Sequence, residues 1–264
     1  MRTTAAIMAF LLVGTSTATA SAAGLRLPPV GGEPDYQLGG PYQPPARVSI
    51  VARDRTAAAP DGPYAICYLN AFQTQPGELD QWPAEVLLRD PEGAPVSDPE
   101  WPDEVLLDTR TAAQRAAIRD HVGNWIQGCA QSGYDAVEFD NLDTYTRSGG
   151  SLRRDDAVAL ARELVTVAHG AGLAAAQKNA AEDATAFRAA GFDFAVAEEC
   201  AAYQECAGYT AVYGGRVVDI EYTDNLPRSF EEMCADPSTP KSVVLRDRDL
   251  VTPSSPAYHF QLCP

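Results

Sequence analysis

"AVEFDNLDTY" (residues 136–145) opens as an apolar strand and closes as a polar turn. Side chains alternate faces along a strand, so Ala136, Glu138 and Asp140 share one face while Val137 and Phe139 share the other. That division suits the wall of a barrel, with Val137 and Phe139 turned to covering helices and the two acids turned to the axis. Asp140, at the strand's end, then lies nearest solvent. Glu138 sits one layer deeper, where it can raise its neighbour's pKa or hold it through a shared hydrogen bond. Asp143 falls in the loop beyond.

The same apolar-to-polar pattern recurs along the chain. "VSIVARD" (48–54), "YAICYLNA" (64–71), "EVLLDTR" (104–110), "LAAAQKN" (173–179), "FAVAEEC" (194–200), "RVVDIEYT" (216–223) and "SVVLRD" (242–247) bring the candidate strands to eight. Helical spacing lies between them. Ala113, Ala117, Ile118, Val122, Trp125, Ile126 and Cys129 recur at three- and four-residue intervals after Thr111. "DDAVALARELVTVAHG" (155–170) begins with two acids and can end at Gly170 or Gly172. Asn179 and Glu182 resemble a capping box ahead of "DATAFRAAG" (183–191).

Eight strands alternating with helices predict a single (β/α)8 TIM barrel of the α/β class rather than an open doubly wound sheet. No glycine-rich phosphate fingerprint follows a strand. Residues 24–47, rich in Pro and Gly, read as a lead-in, and residues 48–264 as the barrel domain. The carboxyl ends of barrel strands meet at one face, so the polar strand ends predict one polar pocket built from distant parts of the chain.

Residues 1–23 have the order of a secretory signal peptide: Arg2, an apolar run from Ala5 to Val13, then the small residues of "ATASAAG". Cleavage between Ala20 and Ala23 leads to a secreted chain, and no later run approaches the roughly 20 apolar residues of a membrane span. No stable membrane association is expected, and the protein is expected to be a monomer. The full sequence has 20 Lys+Arg against 36 Asp+Glu. Such acidity argues against nucleic acid and favours a neutral or cationic partner.

Six cysteines in an exported chain imply disulfides. Cys200 and Cys206 bracket one short loop and form the first pair. The remaining four allow three pairings, of which Cys67–Cys129 with Cys234–Cys263 is preferred. None lies in a CxxC, which argues against structural zinc.

Three chemistries compete for the strand-end acids. Glu138, Asp140 and Asp143 could bind a metal in a metal-dependent hydrolase, but the segment lacks the spacing and glycine of an EF-hand loop, and no HExxH occurs. A serine nucleophile lacks a GxSxG after any strand. Carboxylate acid–base chemistry needs two facing groups, as in glycosidic hydrolysis. Asp140 supplies one, and Glu198 or Glu199 the other; strand parity alone does not choose between the glutamates. No metal and no cofactor is expected. A barrel that binds carbohydrate without turning it over is the alternative.

Several segments together resemble glycoside hydrolase family 114, the endo-α-1,4-polygalactosaminidases. They are "DYQLGG" (35–40), "ICYLNA" (66–71), "WPDEVLLDTR" (101–110), "GYDAVEFDNLDTY" (133–145), "HGAGLAAAQKN" (169–179), "FDFAVAEECAAYQEC" (192–206), "VVDIEY" (217–222) and "VVLRDRDL" (243–250). The resemblance implies a (β/α)8 barrel with Asp140 and Glu198 as the catalytic pair. By the same resemblance the mechanism is retaining, with Asp140 as nucleophile and Glu198 as acid/base. It also implies a secreted hydrolase of α-1,4-linked galactosamine-containing polysaccharide, a polymer that is cationic when it lacks acetyl groups. With that substrate in view, the candidate contacts are Tyr36, Tyr68, Asn70, Asp108, Glu138, Asn141, Asp143, Lys178, Asn179, Glu221 and Tyr222, with Tyr145 a further stacking candidate.

Overall fold

A computed structural model describes residues 24–264; the expected signal peptide lies outside the described residues. Eight parallel strands follow one another in sequence order: β1 (Pro34–Gln37), β2 (Ile50–Asp54), β3 (Tyr64–Asn70), β4 (Ala136–Asp140), β5 (Ala174–Lys178), β6 (Phe194–Glu198), β7 (Val217–Tyr222) and β8 (Ser242–Arg246). A short ninth strand, β9 (Phe260–Leu262), runs antiparallel along β8. Helices α1 (Ala112–Gln131), α2 (Arg154–Gly170), α3 (Ala184–Ala190), α4 (Cys206–Tyr213) and α5 (Phe230–Ala235) follow β3 to β7 in turn. The result is a nearly closed (β/α)8-type barrel.

Alternation along the strands sorts the core into two shells. Tyr36, Ile66, Ala136, Ala176, Val196 and Ile220 fill the barrel interior. Cys67, Leu69, Val137, Phe139, Ala175 and Ala197 pack outward beneath the helices. On α1, Ile118, Val122, Ile126 and Cys129 supply the buried stripe, and the Thr111 side chain caps the helix by accepting from the Gln114 amide at 3.2 Å. Val137 and Phe139 thus face the helices, and Ala136 and Glu138 face the axis.

The barrel begins earlier than the composition implies. Pro34–Gln37, inside the segment read as a lead-in, pairs in parallel with β2. A proline is tolerated at the first residue of a strand because no donor is needed there, and four residues are too few for a periodic signal. The join between β1 and β8 is made largely by a side chain. Arg246 is fully buried, and its guanidinium donates to the Tyr36 carbonyl and, at 3.2 Å, to Asp35. It also reaches the Val251 carbonyl at 3.0 Å and the His259 carbonyl at 2.9 Å. Gly39 belongs to the same seam: a Cβ there would collide with the Leu250 carbonyl oxygen.

One expected strand is not in the barrel. Residues 104–110 belong to a long excursion between β3 and α1 that folds on itself through antiparallel bridges, Gln73 with Leu106, Leu87 with Leu107 and Ser97 with Val105. Its alternation is real but serves two local surfaces: Val105 and Leu107 join the outer core, while Leu106 meets Leu88 and Leu152. The capping-box reading of Asn179 is also replaced. A short 3-10 turn over Ala181–Asp183 leads into α3, and the Asn179 side chain bonds β6 instead.

The three disulfides are Cys67–Cys129, which ties β3 to α1, Cys200–Cys206 and Cys234–Cys263. Among the described residues no helix is long and apolar enough to cross a membrane.

Candidate active site

Strand register sets the site. Asn70 stands beside Asp140 and Tyr68 beside Glu138, so β3 and β4 end at the same level. Three successive strand ends are then followed by a residue in the left-handed region: Asn141 (φ 64°), Asn179 (φ 52°) and Glu199 (φ 59°). This conformation turns the chain sharply away, leaving the last strand residue pointing into the barrel mouth. Asparagine adopts it more readily than most residues, which gives "DN" and "KN" a backbone reason.

At the centre of the mouth is Lys178, 2% exposed. Its Nζ lies 3.0 Å from Glu198 Oε2, 3.4 Å from Asp140 Oδ2 and 3.6 Å from Glu138 Oε1. Those two shorter distances place the nearest oxygens of Asp140 and Glu198 at most about 6.4 Å apart. Each carboxylate has its own tyrosine. Tyr36 donates to Glu138 at 2.6 Å, Tyr68 to Asp140 at 2.7 Å, and Tyr222 to Glu198. Burial first, and then the neighbouring carboxylates, push all three hydroxyls well above the usual tyrosine range, so they remain donors. The Asn141 amide donates to Asp140 Oδ1 at 2.8 Å, and Asn179 both accepts from the Glu198 amide at 2.8 Å and donates to its carboxylate at 3.3 Å.

The charges respond to their surroundings in opposite directions. Burial works against the ammonium of Lys178, but Asp140, Glu198 and Glu138 outweigh it and hold its pKa well above the usual value. Burial likewise works against the Glu198 carboxylate, yet Lys178, Tyr222 and Asn179 prevail and hold its pKa below the usual value. Glu138 is fully buried, and there burial wins over Lys178 and Tyr36, moving it from 4.5 to about 7.

A carboxyl that holds its proton more tightly when folded stabilises the fold fully below about pH 4.5 and loses that contribution as pH rises to about 7. The loss amounts to roughly 3 kcal/mol. Glu138→Gln is therefore expected to gain stability relative to wild type by about that amount between pH 4.5 and 7.5, read by urea unfolding. A difference that stays constant over this range would mean that Glu138 titrates in the fold as it does in the unfolded chain.

The cleft above this cluster encloses about 510 Å³. Tyr68, Asp140, Asn141, Asp143, Lys178, Asn179, Glu198 and Tyr222 line it. Asn70 and Glu138 lie just behind, bonded to Asn141 and paired with Lys178, and Tyr36 lies behind Glu138, to which it donates. Asp143 is clamped by Arg147 at 2.9 Å. Tyr145 is directed to Asp183. Glu199 lines the rim but is paired with Arg248 at 2.7 Å, whereas Glu198 faces Asp140 across Lys178.

Two expected contacts do not reach the cleft. Asp108 is buried against Arg110 on the excursion, whose far end carries it away from the barrel mouth. Glu221 is on the outward face of β7, where it accepts from the Ala201 amide at 2.7 Å. The metal reading also loses its geometry: Asp143 is held by Arg147, and the Lys178 ammonium stands where Glu138 and Asp140 would share a cation.

The excursion supplies residues that sequence reasoning missed. Asp98, Glu100, Trp101 and Glu104 line the cleft, with Arg147, Tyr203 and Arg248 from other loops. Trp101 and Tyr203 are each 61% exposed, an unusual state for large aromatic rings and a suitable one for stacking on a flat ligand face. Eight acids and three basic residues line the cleft, so it attracts cations. Reading 104–110 as a parallel strand puts Asp108 at the mouth; in the antiparallel excursion the other end, Glu104, arrives there.

The chain matches the family model of glycoside-hydrolase family GH114 over residues 14–264. Among solved structures it is similar to Aspergillus fumigatus Ega3 in complex with galactosamine, at 21% identity and TM-score 0.72, over 92% of this chain and 98% of that one. It is also similar to the glycoside hydrolase domain of PelA from Pseudomonas aeruginosa, at 13% identity and TM-score 0.56, over 84% of this chain and 96% of that one. At these identities the likeness speaks to the fold, and both are built on the same barrel. No curated protein sequence matches significantly. A match to one family along almost the whole chain, on a barrel whose mouth gathers paired carboxylates, decides the assignment: the chain belongs to glycoside-hydrolase family GH114 and is a glycoside hydrolase.

Proposed function

We propose that the protein is a secreted endo-glycosidase that hydrolyses α-1,4-linked, galactosamine-containing polysaccharide by double displacement at Asp140 and Glu198. The observation that carries this reading is the convergence of those two carboxylates on Lys178. Their nearest oxygens lie within about 6.4 Å of each other, which lets both act on one glycosidic bond, and the resemblance to the family supplies the retaining course. The acidic cleft suits an amino-sugar polymer with free ammonium groups, and Trp101 and Tyr203 offer faces for sugar rings on the open rim. Three disulfides suit export to an oxidising compartment, in keeping with the expected signal peptide.

In this mechanism Asp140 attacks the anomeric carbon while Glu198 protonates the leaving oxygen, and water then displaces Asp140 with Glu198 as base. Tyr68 and the Asn141 amide orient Asp140; Tyr222 and Asn179 orient Glu198. Lys178 lowers the proton affinity of Glu198 in the free cleft, so the acid form is the minor one at neutral pH. Turnover is therefore expected to rise as pH falls from roughly 7 toward 5. A pH–rate profile that falls over that range would contradict this expectation.

The substrate is tested by incubating the purified protein with acetylated, partially deacetylated and fully deacetylated galactosamine polymers and with neutral galactans. Mass spectrometry should detect oligosaccharides from the polymers carrying free amines. Release from neutral galactans alone would contradict the amino-sugar reading.

A further inference from the structure

Most of the acids in the cleft already have a partner. Asp98 and Asp143 are held by Arg147, Glu199 by Arg248, and Asp140 and Glu198 by Lys178. Asp54 is satisfied by Thr56 and Gln75, and Glu100 is exposed. Glu104 is different. It is partly buried, and a single oxygen, Oε2, accepts from both Asn70 at 2.9 Å and Gln73 at 2.6 Å. Among the described residues no basic side chain pairs with it, and Oε1 has no protein partner in a residue that lines the cleft.

Its position relative to Asp140 is fixed by a chain of hydrogen bonds. Asn70, which carries Glu104, stands beside Asp140 in the β3–β4 register. The Asn141 side chain donates to Asn70 Oδ1 at 3.0 Å, and the Asn141 amide donates to Asp140 Oδ1 at 2.8 Å. A ring whose anomeric carbon faces Asp140 has its C2 amine two bonds away from the reacting atom. Glu104 is a carboxylate of that neighbourhood with no basic partner and, unlike Asp54, with one oxygen left over.

We propose that Glu104 reads the 2-ammonium group of the sugar attacked by Asp140, and so selects a free amine over an acetamide at that ring. The inference rests on the polysaccharide reading above and adds to it the residue that sets acetylation preference. An ammonium donates to Oε1 and supplies the missing positive charge. An acetamide supplies no charge and leaves a partly desolvated carboxylate uncompensated. Burial, against which the two amide donors work, and the nearby Asp140 raise the proton affinity of Glu104, so a cationic ligand relieves the same cost that a proton would.

The test is calorimetric binding to the Asp140→Asn protein, which holds ligand without turnover. A fully deacetylated α-1,4-galactosamine tetramer is compared with its N-acetylated counterpart, before and after adding Glu104→Gln. Glutamine keeps a carbonyl oxygen for Asn70 and Gln73, so the supporting network is retained. The expected result is a loss of roughly 10- to 100-fold for the amine tetramer and a change within about twofold for the acetylated one. Equal losses on both ligands, the mark of a merely structural role, would overturn the proposal, as would no loss on the amine. Binding of neither tetramer by Asp140→Asn would instead bring down the polysaccharide reading itself. Should Glu104→Gln unfold, Glu104→Asp serves in its place, and its withdrawn carboxylate is expected to weaken the amine tetramer alone.

Discussion

Asp140→Asn is expected to lower turnover on a deacetylated galactosamine polymer by about 10³-fold or more, with KM changed only a few-fold. The amide keeps the size of the carboxylate and its one oxygen can still accept from the Asn141 backbone, while the bond that Tyr68 donates to the second oxygen is lost, so the change falls mainly on the nucleophile. Glu198→Gln is expected to cost on the order of 10² to 10⁴. Azide separates the two roles. With Asp140→Ala it attacks the α-linked ring directly and gives a β-glycosyl azide. With Glu198→Ala it opens the glycosyl-enzyme from the other face and gives an α-glycosyl azide. Azides of exchanged configuration, read by NMR, would reverse the assignment.

Lys178→Met is expected to destabilise the fold by about 3–5 kcal/mol near pH 7 and to remove activity with it. The thioether fills the space of the lysine stem but leaves Glu138, Asp140 and Glu198 facing one another without their common cation. Lys178 gains proton affinity on folding, so its contribution is present throughout the range below the ordinary lysine pKa and is lost above it. The deficit of the variant should shrink as pH falls below about 7, where Glu138 can take up a proton in place of the lost cation. Urea unfolding at neutral and acid pH reads both effects. A variant as stable as wild type at pH 7 would show that the three acids do not depend on the ammonium.

The features that were legible from the chain are those with a local signal. Two-residue alternation placed Glu138 inside and Phe139 outside because both shells of the barrel are apolar, so an acid among them stands out. Even cysteine count pointed to three bridges and loop length to Cys200–Cys206, while the other four cysteines allowed three pairings, of which the preferred one is present. "DN" and "KN" marked strand ends because asparagine suits the left-handed turn that follows. What stayed hidden depends on partners distant in sequence. Pro34–Gln37 is a strand because β2 lies beside it and Arg246, some 210 residues away, closes its other side.

Residues 104–110 have a strand's periodicity, but periodicity carries no information on pairing partner or direction. The antiparallel answer exchanges Asp108 for Glu104 at the cleft. Glu198 and Glu199 were equivalent by pattern, and only the turn at Glu199 separates them, sending one carboxylate to Lys178 and the other to Arg248.

Cleavage of an amino-sugar polymer by double displacement at Asp140 and Glu198 has a stereochemical signature. Proton NMR of the first reducing ends released from a deacetylated α-1,4-galactosamine oligomer tests it most directly. Asp140 as nucleophile with Glu198 as acid/base predicts that the α anomer forms first and mutarotates afterwards. First appearance of the β anomer would contradict the account.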